Sequence, residues 1–229
     1  MANAPKAHKG LGMEGVIASW YAWQAAGDSD EFERTARRIA AHLSSDAHIL
    51  EVAPGPGYLA IALAKLTGCQ VTGIDISRSF VRMARDNSRK AGVNITVQRG
   101  DAAALPFTDG QFDFVVCRAA FKSFTRPLVA LDEMYRVLKP GGTALIIDLR
   151  KDYSSQAMND HVRGKSAFSA IIIKLTCNTT LRKRAYSTET LTQLVSQSQF
   201  RQGEFRPQPF WFELWLRKRE NGGVTHDAS

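Results

Sequence analysis

The chain has 229 residues, 44% hydrophobic and 23% charged, with a formal net charge of +8. That length supplies one domain with a sizeable core, and the balance excludes a disordered or fibrous chain. No apolar run approaches the ~20 residues of a membrane helix, while the positive charge leaves anionic partners open.

The opening stretch, MANAPKAHKG, has no apolar segment behind its lysines and does not read as a secretory leader. EFERTARRIAAHL (31–43) then places Phe32, Ala36, Ile39, Ala40 and Leu43 on one helical face, with Asp28 or Ser29 as its cap. HILEV (48–52) is a short buried strand running into EVAPGPGYLA (51–60), and YLAIALAKL (58–66) is a helix closed by Gly68. CQVTGID (69–75) is the second strand, followed by a helix that Ser77 caps and Gly92 ends. NITVQRGD (94–101) and FDFVVCR (112–118) are the third and fourth strands. Pro127 opens a helix running to Leu138, and KPGG (139–142) turns into a fifth strand, TALIIDL (143–149).

Strict alternation of strand and helix predicts an α/β fold, a Rossmann-like doubly wound, mostly parallel sheet with ligands beyond the carboxyl ends of its strands. The rhythm then breaks. A basic, partly apolar segment (153–184) precedes a helix capped by Ser187, and EFRP and PFWFELWLRK are joined only through Pro207-Gln208-Pro209. A connection that short predicts an antiparallel hairpin, for seven strands in all. The expected organisation is one domain: a helical cap (1–46), a cofactor-binding core (47–150), a substrate lid (151–185), a closing helix and hairpin (186–219) and a tail (220–229). Between Tyr153 and Arg219 stand eleven Lys/Arg against four acids, so the basic excess lies in the last third. Cys69, Cys117 and Cys177 form no C-x-x-C pair. They are read as reduced core thiols in a cytoplasmic protein, with no metal site expected.

Gly55-Pro56-Gly57-Tyr58-Leu59-Ala60 matches the dinucleotide fingerprint, and Asp75 ends the next strand about 20 residues on, where a carboxylate binds ribose hydroxyls. Two features favour S-adenosylmethionine (SAM) over NAD. Pro54 and Pro56 each remove a backbone donor that a pyrophosphate would use, and SAM carries no phosphate. Glu51, at the end of a buried strand, needs a cationic partner, and SAM brings an ammonium and a sulfonium.

EVAPGPG, GIDIS (73–77), RGDAAALPFTDGQFDFVV (99–116) and LDEMYRVLKPGGTALIID (131–148), in that order, resemble the class I SAM-dependent methyltransferases. The likeness is to their small-molecule branch, which includes ubiquinone- and menaquinone-biosynthesis enzymes. The resemblance covers residues 48–149 closely. It implies that Glu51, Ala53, Gly55 and Gly57 line the methionine part of SAM. Asp75 would take both ribose hydroxyls, Ile76 the adenine face, and Asp101 and the Ala102 N–H the adenine edge. Cys117, Arg118 and Ala119 would lie beneath the sulfonium, and Tyr21, in WYAW (20–23), over the cofactor. The family's first loop glycine is Ala53 here, and because alanine favours negative φ, the turn is expected to differ slightly. Asp113 and KPGG are read as structural, and Asp148 is left open between structure and chemistry.

The expected chemistry is methyl transfer to a small apolar or anionic acceptor by in-line displacement, driven mainly by proximity, with S-adenosylhomocysteine as product. No base stands out. Lys122, in RAAFKSFTRP (118–127), His161, Tyr153 and Tyr186 are the candidates. Trp20, Phe121, Phe124, Phe168 and Ile172 are read as an apolar acceptor pocket, although core packing would give the same pattern. An RNA methyltransferase using the basic face is an alternative, disfavoured because the chain lacks a [DN]PP[YFW] motif and a PC nucleophile. A non-catalytic SAM-binding protein is another. Peripheral membrane contact and the oligomeric state stay open.

Overall fold

A computed structural model describes residues 13–220, so the start MANAPKAHKG and all but Glu220 of the tail lie outside the described residues. Two helices lead, α1 (Gly15–Ala26) and α2 (Ser29–Ala40). Helix α2 buries Phe32, Thr35, Ala36 and Ile39, as its spacing requires. No side chain caps it, because the Asp28 carboxylate instead accepts from Lys165 Nζ at 2.6 Å. The capping role expected of Asp28 or Ser29 is therefore not realised.

Five strands and three helices follow: β1 (His48–Val52), α3 (Tyr58–Thr67), β2 (Gln70–Asp75), α4 (Arg78–Ala91), β3 (Thr96–Arg99), β4 (Phe112–Arg118), α5 (Pro127–Val137) and β5 (Leu138–Leu149). Gly68 and Gly92 close α3 and α4 in the left-handed conformation, and Ser77 Oγ accepts from Phe80 N at 3.1 Å to cap α4. Strand β5 begins earlier than expected, because Leu138 pairs with Phe112 before the register slips to Phe114–Thr143. The KPGG run forms that irregularity, with the Lys139 ammonium and the His48 N–H both on the Asp113 carboxylate.

Segment 153–184 is helical: α6 (Ser155–His161), α7 (Ala167–Thr176), a π-helical turn over Cys177–Leu181 and α8 (Arg182–Arg184). Then come α9 (Thr188–Gln197), capped by Ser187, and the hairpin β6 (Glu204–Pro207) and β7 (Trp211–Arg217). The sheet order is β3-β2-β1-β4-β5-β7-β6. Strands β1 to β5 are parallel, whereas β7 runs antiparallel to both β5 and β6.

Each face of the sheet carries its own core. Leu50, Val52, Val115, Cys117, Ile146, Phe212 and Leu214 pack against α5 and α9. Ile49, Val71, Phe114, Val116 and Leu145 pack against α2 and α3. Burying a leucine-sized side chain contributes about 1.5–3 kcal/mol, so these two layers hold the strand ends that build the site. All three cysteines are buried and unpaired.

Candidate active site

The strand order reverses direction between β1 and β4, and there the chain leaves both strands through left-handed residues. After β1, Ala53 takes φ 59°, and its N–H donates to Ile74 O at 2.8 Å. After β4, Ala119 also takes φ 59°, with its N–H on Ile147 O at 2.7 Å. The expectation that alanine would reshape the first turn is corrected here. Neighbouring strands fix the hydrogen bond and hold Ala53 in glycine's conformation, at a cost of roughly 1–2 kcal/mol.

Gly55 and Gly57 are left-handed as well, at φ 56° and 83°. A Cβ on Gly57 would lie 2.9 Å from the Ala84 Cβ, so this glycine lets α3 approach α4. A Cβ on Gly55 would meet only the Tyr21 ring, at 3.9 Å, which places Tyr21 directly over the loop. Tyr21 also packs edge-on against Phe80, its ring centre 5.7 Å away.

Asp75 is buried at the end of β2. Its Oδ2 accepts from Gly55 N at 3.0 Å and its Oδ1 from Ser77 N at 2.9 Å, so one carboxylate ties the glycine loop to the start of α4. Burial pushes its pKa up to about 6 against those two hydrogen bonds. Each oxygen retains a second lone pair for an incoming hydroxyl. Ile76 beside it is an exposed apolar residue, as an adenine platform would be. Asp101 accepts from Arg126 Nη2 at 2.8 Å and from Ala103 N at 2.9 Å, and Ala102 packs partly buried beside it.

Among the described residues, two buried side-chain atoms have no hydrogen-bond partner, Glu51 Oε2 and Arg118 Nε. Glu51 is 2% exposed, and burial pushes its carboxyl up to about 8, with the Arg118 charge opposing the shift. The Arg118 guanidinium lies over the Phe32 ring at 4.5 Å and the Trp211 ring at 5.8 Å. One carboxyl oxygen and one guanidinium N–H without partners, toward the ends of β1 and β4, match a ligand that carries an ammonium and a carboxylate on one carbon. The methionine end of SAM is such a group, so the residues present fit it.

Other expected site residues go elsewhere. Lys122 is buried, and its ammonium donates to Asp148 Oδ1 at 2.7 Å and to Ala119 O at 2.6 Å, an ion pair within the fold. Asp148 also accepts the Lys122 N–H at 2.8 Å, so its carboxylate holds the turn after β4. Phe121 and Phe124 belong to the core, edge-on to each other at 5.5 Å, with Tyr186 5.7 Å from Phe121. Phe168 faces solvent, Ile172 is half-buried and Trp20 lies at the surface of α1, so these five do not converge on one pocket. Tyr153 directs its hydroxyl to Asn178 at 2.7 Å.

His161 is placed differently. Its ring stacks on Phe210 at 4.2 Å and stands edge-on to Trp211 at 5.5 Å, the residue whose ring also faces Arg118. Burial lowers its pKa, so the imidazole is neutral at pH 7. Sequence reasoning missed three contributors. Trp211 and Phe32, from opposite ends of the chain, both present their rings to Arg118. Glu14 accepts from Arg78 N at 2.9 Å and Ser79 N at 3.0 Å, fastening α1 to the start of α4. No local pattern marks contacts across more than sixty residues.

Comparison with known proteins gives the family and the fold. A family described as "Methyltransferase domain" matches residues 50–146. The chain is 38% identical over 115 residues to a ubiquinone/menaquinone biosynthesis C-methyltransferase of Neisseria meningitidis, covering 49% of this chain and 47% of that one. It is 31% identical over 170 residues to a demethylmenaquinone methyltransferase of Chlorobaculum parvum, covering 71% and 69%. The chain spans about half the length of the first of these curated relatives. A solved S-adenosyl-L-methionine-dependent methyltransferase of Methanococcus maripaludis superposes with a TM-score of 0.73 over 94% of this chain and 98% of that one, at 19% identity.

Proposed function

The chain belongs to the class I SAM-dependent methyltransferases, and on that footing we propose that it methylates a small, largely apolar aromatic acceptor. A quinol ring of the kind named for its relatives is the first acceptor to test. The observation that carries the reading is the orphaned pair Glu51 and Arg118 beneath the glycine loop. When bound, SAM supplies a methyl group on a sulfonium that an aligned nucleophile displaces in line.

In this reading Glu51 takes the α-ammonium and Arg118 the α-carboxylate. Asp75 takes the ribose hydroxyls, Ile76 the adenine face, and Asp101 with Ala102 its edge. Tyr21 closes the site from α1. Residues 151–185 serve as a lid, and its His161, with Phe210 and Trp211 of the C-terminal hairpin, walls the acceptor side. Proximity and exclusion of water supply most of the rate. His161, neutral at pH 7, is the group placed to accept the proton that a ring carbon or a phenol gives up.

The test is turnover of a demethylated naphthoquinol with labelled SAM, alongside calorimetry with S-adenosylhomocysteine and NADH. Adenosyl binding without NADH binding, together with label in the quinol, is the expected result. If His161 accepts the proton, His161→Gln should lower kcat about 10²-fold or more with little change in KM for SAM. An unchanged kcat would assign the rate to proximity alone. Binding of NADH in place of the adenosyl ligands would overturn the reading.

A further inference from the structure

Helix α7 turns an apolar stripe outward. Phe168, Ile171 and Leu175, at helical spacing, are 71%, 65% and 63% exposed. Helix α1, GVIASWYAWQAA, has no charged residue and exposes Val16 at 85% and Trp23 at 66%. Such side chains are ordinarily withdrawn from water, and aromatic and aliphatic groups of this kind favour a lipid–water interface. An ion pair ties the segments beside the two helices, Lys165 Nζ, two residues before α7, to Asp28 Oδ1, two residues after α1, at 2.6 Å.

Charge accompanies the stripe. From 163 to 184 stand Arg163, Lys165, Lys174, Arg182, Lys183 and Arg184 and no acidic residue. Arg163 pairs with Asp160, Lys165 with Asp28, and Arg182 lies near enough to Asp152 to hold its carboxyl down, but Lys174, Lys183 and Arg184 form no ion pair among the described residues. An apolar ridge bordered by uncompensated cations is complementary to an anionic lipid surface, where each Lys or Arg near the headgroups contributes about 1 kcal/mol.

We infer that α1 and α7 form a docking surface that seats the protein on an anionic bilayer, with both helices lying in the interface and neither crossing it. The surface stands on these exposed residues alone. Its use, admitting a lipid-soluble acceptor beside Tyr21 and His161, rests on the proposed methyl transfer.

Cosedimentation with vesicles tests it. The protein should bind phosphatidylglycerol–phosphatidylcholine vesicles at least about tenfold more tightly than pure phosphatidylcholine, with affinity falling as salt rises. Phe168→Ser/Ile171→Ser should weaken vesicle binding about tenfold, and Lys174→Glu/Lys183→Glu should remove the lipid-charge preference. Both variants should keep the parent's affinity for S-adenosylhomocysteine, which reports an intact fold and separates this proposal from the cofactor reading. Absence of binding to either vesicle would overturn it. So would binding undiminished by both variants, which would assign contact to the arginine cleft of Arg78, Arg82, Arg85 and Arg99. Self-association abolished by Phe168→Ser/Ile171→Ser, without lipid binding, would assign the stripe to a second copy and overturn it equally.

Discussion

Replacing Glu51 by glutamine keeps the shape of the side chain and removes its charge. Burial pushes this carboxyl up to about 8 from an ordinary 4.5, so the ligand-free folded protein holds the proton more tightly than the unfolded chain. A folded pKa above the unfolded one means that more protons are bound in the folded state across the interval. Stability from this group is therefore full below about pH 4.5 and declines as pH rises toward 8, by up to about 1.4 kcal/mol per pH unit. Glu51→Gln should lose that part of the slope. Ligand binding should show the opposite trend, because an ammonium is held by the carboxylate and not by the acid. Affinity of the parent for S-adenosylhomocysteine should rise between pH 5.5 and 7.5 by up to about tenfold per unit.

Asp75, pushed up to about 6, is present in both proteins, so the difference between their profiles isolates Glu51. At pH 7.5 the variant should bind roughly ten- to hundredfold more weakly, the equivalent of about 1.5–3 kcal/mol for a charged hydrogen bond. Calorimetric titration across pH, with thermal unfolding of the ligand-free proteins, measures both effects. Equal affinities with parallel pH profiles would refute the pairing of Glu51 with the ammonium.

Ala53→Gly should raise stability, since relief of roughly 1–2 kcal/mol of left-handed strain exceeds glycine's added flexibility of about 0.5–1 kcal/mol. A fall in the thermal midpoint would contradict the strain assigned to φ 59°. Lys122→Met leaves Asp148 buried without its cation and should cost about 3–5 kcal/mol in urea unfolding. Loss of kcat at unchanged stability would instead restore Lys122 as a catalytic group. Arg118→Met keeps an apolar stem between Phe32 and Trp211 and should weaken S-adenosylhomocysteine binding about tenfold with the fold intact. An unaltered dissociation constant would remove Arg118 from the carboxylate.

What the sequence made legible was local. Strands β1 and β4 fall where HILEV and FDFVVCR end, because a buried parallel strand is a short continuous apolar run. Ser77, Ser187, Gly68 and Gly92 act as caps because capping depends on residues within one turn. Pro127 opens α5 for the same reason. Helix α1 was harder, since an apolar segment with neither stripe nor cap has no amphipathic period to read. Phe121 and Phe168 looked alike as apolar residues, yet one is sealed in the core and the other faces solvent. Which of the two occurs is decided by packing across the sheet. Sequence leaves Lys122 open because the carboxylate at its ammonium, Asp148, lies twenty-six residues away. The orphaned state of Arg118 likewise belongs to three dimensions alone.

The meeting of Phe32 and Trp211 at Arg118 has a consequence for the protein's birth. Phe32 belongs to the second helix made, and Trp211 begins the last strand. A second clasp follows the same path, Arg38 Nε on Glu213 Oε1 at 3.2 Å, with His42 against Trp215 at 4.7 Å. Synthesis runs at about 5–20 residues per second, so roughly ten seconds or more separate the two halves of each clasp on the ribosome. The nascent chain can lay down its parallel core in that time, but β5 keeps an open edge until β7 arrives. A half-made copy therefore has an unfinished cofactor clamp and a sticky margin, and ribosome stalling before residue 211 would leave a species that aggregates rather than one that competes for SAM.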